Sequence, residues 1–125
     1  MPAAAALLLA LGVGCGAFGA HALRDSVPHE DLLIWEKSVL YHLLHGLGAL
    51  VIGGLPATVL STGSRARIAA LMLLSLLIFS GSLYALVLTG VRWLGAITPV
   101  GGLGLIASWL ALSFQLLKGC HIPEN

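Results

Sequence analysis

Charge is what this chain has least of: Asp, Glu, Lys and Arg make up only 9% of its 125 residues. A water-soluble domain carries about a quarter, so there is too little charge to coat a surface that faces water. The formal net charge is +1, and the basic residues are scattered, with Arg65 and Arg67 merely a pair. That excludes the basic stripe by which proteins hold nucleic acid and the polybasic tail that holds anionic lipid. Cysteine is almost missing as well. Cys15 falls in an apolar run and Cys120 in the polar C-terminal stretch, so both read as free thiols, without a disulfide framework or a metal or redox motif. No metal, no cofactor and no catalytic residue is expected.

What fills the space is apolar: hydrophobic residues are 58% of the chain, glycine has 16 copies, and mean hydropathy is +1.02. Four apolar runs stand at roughly 3–22, 37–55, 67–89 and 98–117, each near the ~20 residues that cross a hydrocarbon core. The second is expected to begin as a helix near 31, its first turns interfacial, because Pro28, Glu30 and Asp31 suit a helix start. Thr98–Pro99 reads as a cap and first turn, and Ser64 as a cap for the third helix. The expectation is an all-α integral membrane four-helix bundle with short loops, one domain over 1–125.

The stretch "AAAALLLALGVG" resembles the core of a signal peptide, but it lacks a basic leader, and Gly12 stands where a lipobox wants Leu. It is read as a membrane helix. Four spans put both termini on one side. Lys and Arg tie, with Arg65, Arg67 and Lys118 against Arg24, Lys37 and Arg92. The Arg65/Arg67 pair tips the expectation to an inner membrane with both termini cytoplasmic. Trp35 and Trp93 fit an aromatic belt, and Trp109 lies deeper against a neighbouring helix.

At about 100° per residue, Glu30, Asp31, Ile34, Ser38, Tyr41, His42 and His45 share one stripe of the second helix. Gly48 and Ala49 continue it, while leucines occupy the other side. Polar groups facing lipid are costly, so both histidines should face the interior. Alternating helix direction brings His21, Ser80, Ser82, Tyr84 and Thr98 to the same half of the membrane, taken as the outer half. The simplest reading of Gly12, Gly16 and Ala20, with Gly19 beside them, is a helix-packing surface. Gly101 and Gly102, with Gly104, read the same way. Thr98 is a cap before it is a ligand group, and Tyr84 a packed aromatic before it is an acid. For His42 and His45, a hydrogen-bonded structural pair and a functional pair stand level.

"GAFGAHAL" (16–23), "YHLLH" (41–45), "FSGSLYALVLTG" (79–90) and "ITPVGGLGLIASW" (97–109) resemble the domain-of-unknown-function 423 family, small multi-pass bacterial membrane proteins. The resemblance spans almost the whole chain and implies a four-helix inner-membrane protein. It carries no established reaction and so transfers no catalytic residue. The loop "RDSVPHEDLLIWEKS" is its least family-like part.

The reading that follows is a non-enzymatic module in the lipid bilayer, binding an amphiphile or a membrane-protein partner through the outer polar cluster. A homo-oligomer that transports protons or substrate by His42 and His45 is the alternative; it is weakened by the scarcity of polar residues in the inner half. A haem- or metal-binding redox subunit, with His21 opposite His42 or His45, comes third.

Overall fold

The computed structural model describes residues 1–119; Cys120 lies outside the described residues. Four long helices make up most of the chain: α1 Pro2–Phe18, α2 His29–Gly54, α3 Thr62–Thr89 and α4 Thr98–Gly119. A π-helical turn, Gly19–Leu23, prolongs α1, and a 3-10 turn, Arg92–Ala96, joins α3 to α4. The fold is all-α.

Local chemistry sets the ends. Pro2 occupies the first turn of α1, where a missing N–H costs nothing. Glu30 and Asp31 stand in the first turn of α2, complementing the helix dipole. Leu55 is extended, at φ −57° and ψ 142°, as the residue before a proline prefers, and α2 stops there. The Arg65 guanidinium donates to the Leu55 carbonyl and, at 2.8 Å, to Thr62 Oγ1, tying the start of α3 to the end of α2. The cap of α3 is Ser61, not the expected Ser64: Ser61 Oγ accepts the Ser64 N–H at 3.2 Å. Hydrophobicity marks where the bilayer begins, whereas the cap marks where the helix begins, so α3 starts ahead of its apolar run. Gly90, at φ 71°, closes α3 by donating its N–H to the Leu86 carbonyl, in the left-handed conformation glycine adopts without strain.

The helices pack in chain order, α1 on α2, α2 on α3 and α3 on α4. Consequently α3 is the best covered: 44% of its most apolar window is buried, against 17% for α1 with its π turn and for α4 with its 3-10 turn. The outward faces are apolar, including Leu7, Leu40, Leu74, Leu103 and Leu110, each more than half exposed. Three helical segments among the described residues are long and apolar enough to cross a membrane: Pro2–Leu23, Thr62–Thr89 and Arg92–Lys118. The fourth helix, α2, has 26 residues, and its inward polar side chains dilute its hydropathy. With apolar helices and apolar outer faces, the chain is a membrane protein.

Direction alternates, so Met1, the α2–α3 turn and Lys118 share one end of the bundle, here the terminal end. The π turn and the 3-10 turn share the other, distal end. Two apolar clusters fill the interior. One, around Ile52, Met72 and Leu76, lies toward the terminal end; the other joins Leu23, Trp35, Leu86 and Val87 at the distal end. Ser38, His42, His45 and Ser80 lie between them.

Candidate functional site

The inward face of α2 repeats with alternating spacings of three and four: Trp35, Ser38, His42, His45, Ala49 and Ile52 are all buried. The Trp35 indole N–H donates to the Cys15 carbonyl of α1 at 2.8 Å, and its ring packs on Tyr84 at 4.5 Å between centroids. Trp35 is only 3% exposed, which corrects its assignment to an aromatic belt. The indole fills the gap opened by Gly19, where a Cβ would stand 2.5 Å from Trp35 Cδ1.

Ser38 and Ser80 bond reciprocally, each hydroxyl donating to the other's backbone carbonyl at 3.0 Å. His42 Nδ1 lies 3.2 Å from the Tyr84 hydroxyl. Further along, Ser82 and Thr98 share a hydroxyl–hydroxyl bond of 2.8 Å, so the Thr98 side chain links α4 to α3. At the distal surface, the Arg92 guanidinium donates two bonds, of 2.5 and 3.0 Å, to the buried Asp31 carboxylate. Together these bonds stitch α2 to both neighbours and α3 to α4.

His21 and Ala20 stand apart from this arrangement. Both are exposed, while Gly19 and Leu23 of the same π turn are buried. His21 has the right depth, but it follows the inward Gly19 by two residues, roughly half a turn, and so faces away from His42 and His45. Gly12, Gly16 and Gly19 do lie against α2: Cβ atoms there would meet Leu43 at 2.9 Å, Val39 at 3.4 Å and Trp35. On α4, a Cβ at Gly101 would fall 2.5 Å from the Phe79 backbone nitrogen, and one at Gly104 would overlap Ser75 Oγ. Gly102 differs, since its nearest neighbour would be Phe79 at 3.7 Å, an ordinary contact.

Gly102 is open because it lines a cleft of about 540 Å³ between α2 and α4, floored by Phe79 of α3. Tyr41, His45, Leu105 and Trp109 line the same cleft. Tyr41 stacks on Phe79 at 4.6 Å and on His45 at 5.5 Å, and Trp109 tilts toward His45 at 6.1 Å. A second cavity of about 380 Å³, sharing Leu44 and Trp109 with the first, continues toward the terminal end past Val51 and Leu116. Both volumes fall in the ~300–1,000 Å³ range of small-molecule sites.

The two histidines differ in their free nitrogens. His42 Nε2 is fully enclosed and has no hydrogen-bond partner among the described residues; the ring edge packs where Gly12 lacks a side chain. His45 Nδ1 lies 2.9 Å from the Tyr41 carbonyl. A carbonyl only accepts, so Nδ1 carries the proton and Nε2 of the neutral ring is a bare acceptor. His45 is 5% exposed, its Nε2 bonds to none of the described residues, and that atom is not enclosed as His42 Nε2 is. Among the described residues no three His, Cys, Asp or Glu side chains come together as a metal site would need. Gly102 was expected to pack, and neither Phe79 nor Leu105 was expected in a site; the seven-residue step from Gly102 to Trp109 is the signal for a shared face.

Residues 15–102 match the family described as "Protein of unknown function (DUF423)". A UPF0382 membrane protein of Staphylococcus haemolyticus is 46% identical over 90% of this chain and 91% of its own length. One from Staphylococcus epidermidis is 47% identical over the same shares. The UPF0382 membrane protein YwdK of Bacillus subtilis is 42% identical over 86% of this chain and 88% of its own. No solved structure matches. The chain belongs to the DUF423 family of membrane proteins.

Proposed function

We propose that this DUF423 membrane protein is a non-enzymatic, four-span module of the inner membrane that binds an amphiphile in the cleft between α2 and α4. The observation that carries it is His45: a nearly buried side chain, one of whose ring nitrogens bonds none of the described residues, lining an open cleft between α2 and α4 rather than a packed interface. An intramembrane polar group without a partner is costly, and a ligand placed there removes the cost. Ser38, Ser80 and the Nδ1 edge of His42 already have partners, and His42 Nε2 is sealed inside the bundle, so the binding role passes from those contacts to the cleft. The exposed face of α2, with Leu40, Leu44, Leu47 and Val51, suits it to be the fourth span. Both termini then lie on one side, and the Arg65/Arg67 pair favours the cytoplasmic one.

Photocrosslinking tests the binding. A benzophenone amino acid replaces Ile106, which lines the cleft, or Leu110, which is 65% exposed and absent from its lining. The Ile106 position is expected to capture one discrete lipid species, and the Leu110 position a sample of the bulk membrane. Bulk lipid at both positions, or a protein adduct at Ile106, would overturn the proposal.

A further inference from the structure

Resting on that reading of the cleft, we infer that its ligand is a ring-headed lipid bearing a free hydroxyl, of the benzoquinol class, whose hydroxyl donates to His45 Nε2. Polarity, depth and shape converge on it. The Tyr41 carbonyl accepts the Nδ1–H bond at 2.9 Å, so in the uncharged ring the other nitrogen is an acceptor, and a ligand that bonds it there must donate. A quinol hydroxyl donates; a quinone carbonyl, an ester carbonyl and a phosphodiester only accept.

Depth removes ordinary phospholipid. His45 stands eight residues beyond Lys37, the last charged residue of α2. At ~1.5 Å per residue that is ~12 Å, well inside a hydrocarbon core ~30 Å thick. A phospholipid keeps its polar atoms at the interface, and its acyl chain offers His45 nothing to bond. A head that enters this depth must be mostly apolar with very few polar atoms. A hydroxylated, substituted benzene ring meets that requirement.

The walls of the cleft around His45 are aromatic. Tyr41 and Phe79 are stacked at 21° between planes, and the Trp109 ring tilts 59° to His45, surfaces against which a flat ring gains offset or edge-to-face contact. Below Trp109 the second cavity is lined by apolar side chains such as Leu47, Val51 and Leu112. It provides a course for a prenyl or alkyl tail.

The test uses the full chain in detergent micelles, with binding read by native mass spectrometry under anaerobic conditions and folding checked by circular dichroism. The probes are decyl-benzoquinol, its oxidised quinone, and dodecanol, which has a hydroxyl but no ring. The quinol is expected to bind one per chain and about tenfold more tightly than the quinone, the effect of about one hydrogen bond. Dodecanol should bind more weakly than the quinol. His45→Phe should remove that preference, and His45→Gln, whose amide oxygen can accept, should keep it. Gly102→Leu should abolish binding by filling the cleft, its Cβ meeting only an ordinary contact. Equal binding of quinol and quinone, or an unchanged preference in His45→Phe, would overturn this inference. If dodecanol binds as well as the quinol, is lost in Gly102→Leu and ignores His45→Phe, the cleft reading survives and the ring-headed ligand does not. If no probe binds, or Gly102→Leu changes nothing, both fall.

Discussion

His42 and His45 leave α2 one turn apart, yet they face two different kinds of surroundings. His42 lies where α1, α2 and α3 close over it, with Gly12 against its ring and the Tyr84 hydroxyl on Nδ1. His45 is just as buried, but it borders the cleft that α4 leaves beside α2 by packing on α3. On the first side Gly12, Gly16 and Gly19 are filled by α2 side chains; on the second, Gly102 borders the cleft with only an ordinary contact to Phe79. Identical side chains on one stripe thus take different parts according to which helix comes next. Chain-order packing makes one flank of α2 a sealed joint and the other an open groove.

The largest effect expected from breaking this contrast is in the packing glycines. Gly101→Ala drives a Cβ into the Phe79 backbone and should lower stability by about 1–3 kcal/mol, the usual range for overpacking. Gly102→Ala, one residue on, should change it by less than about 0.5 kcal/mol. Denaturation midpoints in a common detergent compare the two. A similar loss for both would mean that the α2–α4 side is as closed as the α3–α4 seam.

The histidines come next. His42→Leu leaves the Tyr84 hydroxyl without its imidazole partner inside the bundle and should cost about 1–3 kcal/mol. His45→Leu removes only a bond to a carbonyl of its own helix and should cost under about 1 kcal/mol. Reversal of that order in thermal unfolding would exchange their roles. The smallest effect is expected at Ser38→Ala, which deletes one interhelical hydroxyl bond and leaves the reciprocal one from Ser80. Such bonds in membrane bundles average about 0.6 kcal/mol, so a loss far above that would point to a more strongly coupled network.

Much of the fold was legible because helices in lipid obey few rules. Apolar runs of bilayer length and alternating direction gave the four elements, and the two-sided composition of α2 gave its inward stripe. Depth was easier to read than angle: His21 was placed at the right level but on the wrong side, and Trp35 was taken for an interfacial anchor although it continues the spacing of Ser38 and His42. Ser64 was expected to cap α3, but Ser61, three residues earlier, does so. The cleft was not legible. It depends on which helix pairs leave a gap, and no single-helix periodicity carries that. Phe79 enters only because it faces α2 and α4 at once.

The most direct test of the division between a sealed joint and an open groove is the lipid retained by the chain after extraction in mild detergent. The lipid is quantified per chain for the wild type, Gly102→Leu and Ser80→Ala. The account predicts one retained amphiphile per chain in the wild type and in Ser80→Ala, and none in Gly102→Leu. Retention in Gly102→Leu together with loss in Ser80→Ala would contradict it, and would move the binding site back to the polar contacts inside the bundle.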